Sequence, residues 1–101
     1  MTTIKLEARS VRYFSEYDEA AFFEWLGKIA AISSYDGKGE ALYIEVDPAA
    51  VDEDALREIL ALFHRYGVSL RQLKVFDRPE FAEWFRDERA YWFDRVFRAP
   101  V

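Results

Sequence analysis

Apolar and charged residues alternate over Ile4-Lys5-Leu6-Glu7-Ala8-Arg9, the period of a strand with one buried face. Val11 and Tyr13 extend the pattern after a slip of phase at Ser10, which predicts a first strand over residues 3–13. The period then changes. Ser15 stands where a helix N-cap belongs, followed by Glu16, Asp18 and Glu19 in a first turn whose dipole favours acids. Phe22, Phe23, Leu26, Ile29 and Ala30 recur at helical spacing, predicting a helix over 16–30. Two apolar runs, 31–35 and 41–47, flank Asp36-Gly37-Lys38-Gly39 and read as a hairpin whose glycines supply positive φ. Asp52 opens a second helix over 52–66, with a narrow stripe of Leu56, Ile59, Leu60 and Phe63, and Gly67 is placed to close it in the left-handed conformation.

Residues 68–76 admit two readings. As a strand they complete a βαββαβ order, the ferredoxin-like arrangement with an added C-terminal helix. As a short helix, Ser69 caps and Leu70 and Leu73 face inward. The alternation is poor, since Gln72 and Lys74 share a face with Leu70 and Phe76, and this favours the helix. Asp77-Arg78-Pro79-Glu80 then has the cap, early proline and following acid of a helix start. Phe81, Trp84, Phe85, Trp92 and Val96 would share one buried face of a continuous helix, but Glu88 and Arg95 fall on it too, and Phe93 and Phe97 form a second stripe. A break near Asp87–Arg89 resolves both conflicts. The predicted fold is one α+β domain over 1–101. A small, mainly antiparallel sheet carries the order β-α-β-β-α, both helices lie on one face, and C-terminal helices close the core.

Composition narrows the function classes. The 101 residues contain no cysteine, which excludes disulfides, thiolate chemistry and zinc ribbons. The start, Met1-Thr2-Thr3-Ile4, lacks a basic segment followed by an apolar one, so no signal peptide is expected. No stretch approaches the roughly 18 apolar residues of a membrane span. The expectation is a soluble cytoplasmic protein without membrane attachment. Residues 1–60 carry 13 acids and 6 bases, residues 61–101 carry 6 acids and 8 bases, and the chain totals −5. Such a balance disfavours nucleic acid, whose phosphates require net basic surface. It serves solubility first and favours a basic protein partner second.

Candidate chemistry is sparse. His64, the only histidine, has Leu60 and Ala61 as its preceding helical neighbours and no carboxylate on its own helix to orient it. Packing at the stripe edge is the plainer role. The rival is a small enzyme or ligand-binding domain using His64 with a nearby acid or tyrosine, and a concave polar pocket there would favour it. Ser33 and Ser34 match no nucleophile elbow. Gly37-Lys38-Gly39 is too short for a phosphate loop. Asp47, Asp52, Glu53 and Asp54 lack the spacing of a calcium loop, and helix capping accounts for them. Neither catalytic residues nor a cofactor or metal are expected.

The densest signal is Phe76–Arg98, which holds eight of the 18 aromatics with five interleaved arginines. Aromatics and arginine dominate binding hot spots. Eight aromatics in 23 residues exceed what one buried face holds. The expected partner-binding residues are therefore Arg89, Tyr91, Phe93, Arg95, Phe97 and Arg98, serving a protein partner or a homodimer. Glu83–Arg86 and Asp94–Arg98 read as ion pairs on a solvent face.

Around Ala61-Leu62-Phe63-His64-Arg65-Tyr66, Gln72-Leu73, Glu83-Trp84-Phe85, Tyr91-Trp92-Phe93 and Val96-Phe97 the chain resembles short bacterial proteins of the toxin-immunity type. The resemblance spans Tyr13 to Phe97. It implies a non-catalytic, acidic inhibitor of a partner protein. Its motifs are aromatic and structural, and no functional residue is carried over with them.

Overall fold

The structure is a computed structural model that describes residues 2–98; Met1 and residues 99–101 of the expected domain lie outside the described residues. Strands β1 (Ile4–Arg9), β2 (Ile32–Lys38) and β3 (Ala41–Val46) form one antiparallel sheet in the order β1-β3-β2. Helices α1 (Glu16–Lys28) and α2 (Glu53–Tyr66) supply the predicted chain order β-α-β-β-α. Leu6, Ala8, Ile44 and Val46 point from the sheet into one cluster with Phe22, Leu26, Leu56, Ile59 and Phe63, so both helices cover the same face.

β1 is shorter than its pattern predicts. Ser10 adopts φ 54, and its N–H donates to the Glu40 carbonyl at 2.8 Å. A non-glycine residue in the left-handed region turns the chain out of the ladder, so Val11 and Tyr13 leave the sheet and pack at its margin. The hairpin turn also lies further along than predicted. Asp36, Gly37 and Lys38 belong to β2, and Lys38 pairs with Ala41 around a two-residue turn, Gly39-Glu40. Gly39 has φ 61, as a type II′ turn requires at its first central position. Gly37 is an ordinary strand residue. The Ser33 hydroxyl donates to the Glu45 carbonyl at 3.3 Å beside a bulge between Ile32 and Ser34.

The N-caps of both helices and the C-cap of α2 are those the local sequence predicts, whereas α1 ends at Lys28 instead of residue 30, with Ile29 already extended at ψ 104. Ser15 Oγ accepts from the Asp18 N–H, an Asp52 oxygen accepts from the Ala55 N–H, and Gly67 closes α2 at φ 71. Asp47 caps the 3-10 turn Pro48–Ala50 through the Ala49 N–H. Asp47 and Asp52 are thus engaged at N-termini, and Glu53 pairs with Arg57 at 2.8 Å.

The apolar arc of α2 is wider than the predicted stripe, because Leu62 is buried as well. On the Leu62 side, Glu58 accepts from the Trp25 indole at 2.9 Å and Tyr66 meets Phe22 at 4.9 Å, so that flank packs on α1. On the opposite flank, Arg57 lies 4.3 Å over Trp84 and His64 lies 4.7 Å from Tyr91. The helical layer therefore runs α1, α2, C-terminal segment.

Residues 71–76 form a 3-10 helix, so the strand alternative fails. Leu70, Leu73 and Phe76 are all buried at intervals of three, the period of a 3-10 helix rather than of a strand. Ser69 contributes its carbonyl, which accepts from Gln72, instead of a hydroxyl cap. At the outer edge of β1, where a fourth strand would pair, Gln72 substitutes for one. Its Oε1 accepts from the Glu7 N–H at 2.8 Å and its Nε2 donates to the Glu7 carbonyl at 2.9 Å. One side-chain amide thus makes the hydrogen-bond pair of a neighbouring strand and guards the edge. Gln72→Ala is expected to cost about 1–2 kcal/mol, the loss of two partly buried bonds, and to speed amide exchange at Glu7. Unchanged unfolding in urea together with unchanged exchange would show the contact to be idle.

The C-terminal segment is more broken than a helix interrupted once. A 3-10 turn, Pro79–Phe81, leads into a one-turn helix, α3 (Ala82–Phe85). Turns over 86–92 contain the predicted break, and a π-helical turn covers Asp94–Arg98. Pro79 holds its predicted early position, but Asp77 caps nothing; its carboxylate pairs with Arg86 instead, which displaces the expected Glu83–Arg86 pair. Asp94–Arg98 forms at 3.6 Å.

Candidate protein-interaction surface

Trp92 and Val96 face the core from the C-terminal segment, and their burial sorts the residues between and beside them into two groups. Tyr91 and Arg95 meet His64. The Arg95 Nη1 lies 2.9 Å from His64 Nδ1, and because arginine only donates, Nδ1 is the acceptor in this contact. Tyr91 is 49% exposed, and partial burial raises its phenol above the ordinary value while Arg57 pulls the other way. Phe93 and Phe97 form the second group. They touch at 5.1 Å, and Phe97 also packs on Phe85 at 5.1 Å. Arg98 covers Phe93 at 5.1 Å and Arg86 covers Phe97 at 5.4 Å. Arg98 in turn pairs with Glu88 at 2.9 Å. Both phenylalanines are half-buried.

Arg89 joins neither group. Its side chain is exposed and pairs with Asp87 at 3.3 Å. The Arg89 N–H donates to the same carboxylate at 2.9 Å, and this bond, with the side-chain contact behind it, holds the Asp87 carboxyl below the usual range.

Two further exposed aromatics lie where α1 begins, and sequence reasoning passed over both. Phe14 is 83% exposed and Tyr17 is 87% exposed. Phe14 occupies the residue before the N-cap of α1, where an apolar side chain normally staples onto the fourth helical residue. That residue is Glu19, so Phe14 has no apolar partner on its own helix. Its backbone is nonetheless fixed, because its N–H donates to the Asp18 carboxylate at 2.9 Å. The missing staple partner is the signal that would have found it.

His64 links the two ends. With Arg12, Phe14, Asp18, Arg65 and Tyr66 it borders an open depression where α1 begins and α2 ends. The surface around it therefore carries Phe14 and Tyr91 as aromatic contacts and Arg12, Arg65 and Arg95 as cations. The depression is lined by polar side chains as well as apolar surface, and an enzyme would need such groups. Its histidine, however, is engaged by an arginine, and its one carboxylate, Asp18, is engaged by a backbone N–H. Among the described residues no group of three or more His, Asp or Glu could hold a metal ion, and no helix is long and apolar enough to cross a membrane.

Compared with known proteins, the chain matches no family model, no curated protein and no solved structure.

Proposed function

We propose that this protein is a non-catalytic protein-binding module, acting as an immunity-like inhibitor that engages its partner through the surface around His64. The observation that carries the reading is the placement of exposed Phe14, whose backbone is held by Asp18, and half-exposed Tyr91 beside Arg12, Arg65 and Arg95. Aromatics flanked by guanidinium groups are the usual anchors of a protein interface. The chain as a whole is acidic, but this surface is locally basic, and its charge favours an acidic patch on the partner. A homodimer through the Phe93–Phe97 stripe is less supported, since Arg86, Arg98 and Phe85 already cover it from within the chain.

The depression at His64 favours one other reading, a small enzyme or ligand-binding domain. Capture from the source organism separates the two. The tagged chain is expected to retain one protein saturably, with the affinity falling about 30-fold or more in Tyr91→Ala, the loss of one hot spot. Arg95→Glu is expected to weaken it further through charge. A retained protein whose affinity ignores both substitutions would remove this surface from the account. A small molecule that perturbs the His64 ring, with no protein retained, would establish the rival.

A further inference from the structure

The two outer edges of the sheet are treated differently. The edge of β1 is occupied at Glu7 by the Gln72 amide. The edge of β2 has no such guard among the described residues. We propose that β2 is a self-association edge, on which two copies pair antiparallel about Gly37 and join their three-stranded sheets into one. This surface is distinct from the one around His64, and the inference does not depend on the proposed function.

The ladder pattern identifies which groups of β2 are free. Glu7 turns its N–H and carbonyl to Gln72, so Ile4, Leu6 and Ala8 are the residues bonded to β3. Their partners Val46, Ile44 and Leu42 are thereby committed to β1. Ala41, Tyr43 and Glu45 must then face β2, and their partners are Lys38, Asp36 and Ser34. The Asp47 N–H, two residues on from Glu45, donates to the Ala31 carbonyl and fits this parity. Tyr35 and Gly37 are left with their N–H and carbonyl groups directed outward. Every residue of β2 after Ile32 is exposed.

A two-fold axis requires an outward residue to meet an outward residue, which leaves three centres within the regular part of the strand. Centred on Tyr35, the pairing runs Gly37 of each copy onto the Ser33 bulge of the other, where the edge bends away. Centred on Asp36, it sets two carboxylates face to face. Centred on Gly37, it sets Asp36 opposite Lys38 twice, in the pairs whose side chains approach most closely. Charge therefore selects the third register. Exposed ion pairs contribute little on their own, so they choose the register while the backbone bonds and apolar contact hold it. Tyr35 supplies that contact: its ring packs 5.4 Å from Phe23 of α1, and in this register it falls opposite the turn residue Gly39 of the copy.

Sedimentation of the full chain tests the pairing. Between micromolar and millimolar concentration the wild-type mass is expected to rise from 11.9 kDa to twice that value. Lys38→Glu and Asp36→Lys, each placing like charges opposite, are expected to stay at the single-chain mass. The double variant Asp36→Lys/Lys38→Asp restores complementarity and is expected to restore the doubling. A wild type that keeps the single-chain mass throughout overturns the proposal. So does a doubling that both single reversals leave intact, or one that the folded double variant fails to recover. Amide exchange on the wild type needs no variant: Tyr35 and Gly37 are expected to slow with concentration, and concentration-independent exchange at both counts against the edge.

Discussion

Trp92→Ala is expected to destabilise the protein by about 3–5 kcal/mol, a large fraction of the roughly 5–15 kcal/mol that holds a domain of this size folded. Trp92 is 6% exposed and lies where the C-terminal segment meets α2. Its ring contacts Tyr91 at 4.9 Å, Trp84 at 5.8 Å and Phe85 at 6.4 Å, with Arg57 above it at 5.9 Å. Its indole N–H also donates to the Phe85 carbonyl at 2.8 Å. That bond closes the loop formed by the turns over 86–92, so truncation removes both the packing and the tie across the break. Trp92→Phe keeps most of the apolar bulk and lacks the donor; the loss should be about 1–3 kcal/mol. Trp84 is half-buried under Arg57, and its truncation should cost less than that of Trp92. Thermal melting reads all three, with a drop on the order of 20 °C expected for Trp92→Ala. Unchanged melting of that variant would mean that the segment does not close the core.

Arg78→Ala is expected to cost about 2–4 kcal/mol, because two carbonyls lose a charged donor. Arg78 reaches back to the connection between β3 and α2. Its Nη1 donates to the Pro48 carbonyl at 3.0 Å and its Nη2 to the Val51 carbonyl at 2.6 Å. Pro48 retains a second bond, from the Val51 N–H, so the Val51 carbonyl carries most of the penalty. The guanidinium also lies 4.6 Å over Phe81, and its inward Nε has Glu80 at 3.4 Å as a charge partner. A planar fork serves two carbonyls and a ring together. Arg78→Lys offers a single point charge and should recover less than half of the loss. Equilibrium unfolding in urea measures both variants; a lysine variant as stable as wild type would show that charge alone suffices.

Features set by a few neighbouring residues were legible in the sequence. Ser15 announces the start of α1, and Asp52 and Gly67 both limits of α2, because caps are local; the end of α1, at Lys28 instead of residue 30, carries no such signal. The alternation in β1 and β3 follows from one buried face. Features settled by distant contacts were not legible. Ser10 ends β1 by bonding Glu40 across the sheet. Leu62 is buried because α1 lies on that flank, which the stripe on α2 alone does not reveal. Nothing local marks Gln72 as the partner of Glu7, 65 residues away. The inward pair Leu70 and Leu73 marks a short helix in the sequence, but its 3-10 form shows only once Phe76 is known to be buried with them.

The candidate surface was partly legible. Aromatic and arginine density drew attention to Tyr91 and Arg95, and the structure places both at His64. The same density drew in Phe93, Phe97 and Arg98, which mainly serve one another. Phe14 and Tyr17 escaped notice because isolated aromatics near a helix start resemble core residues until their exposure is known.

The central claim is that the surface around His64 meets a protein partner. An amide chemical-shift map, recorded on the labelled chain as the captured partner is titrated in, tests it most directly. The account predicts saturable shifts grouped at Arg12, Phe14, His64, Arg65, Tyr91 and Arg95, with the sheet residues Lys5, Tyr43 and Glu45 unmoved. Shifts confined to the sheet, with His64 and Tyr91 unmoved at saturation, would contradict it.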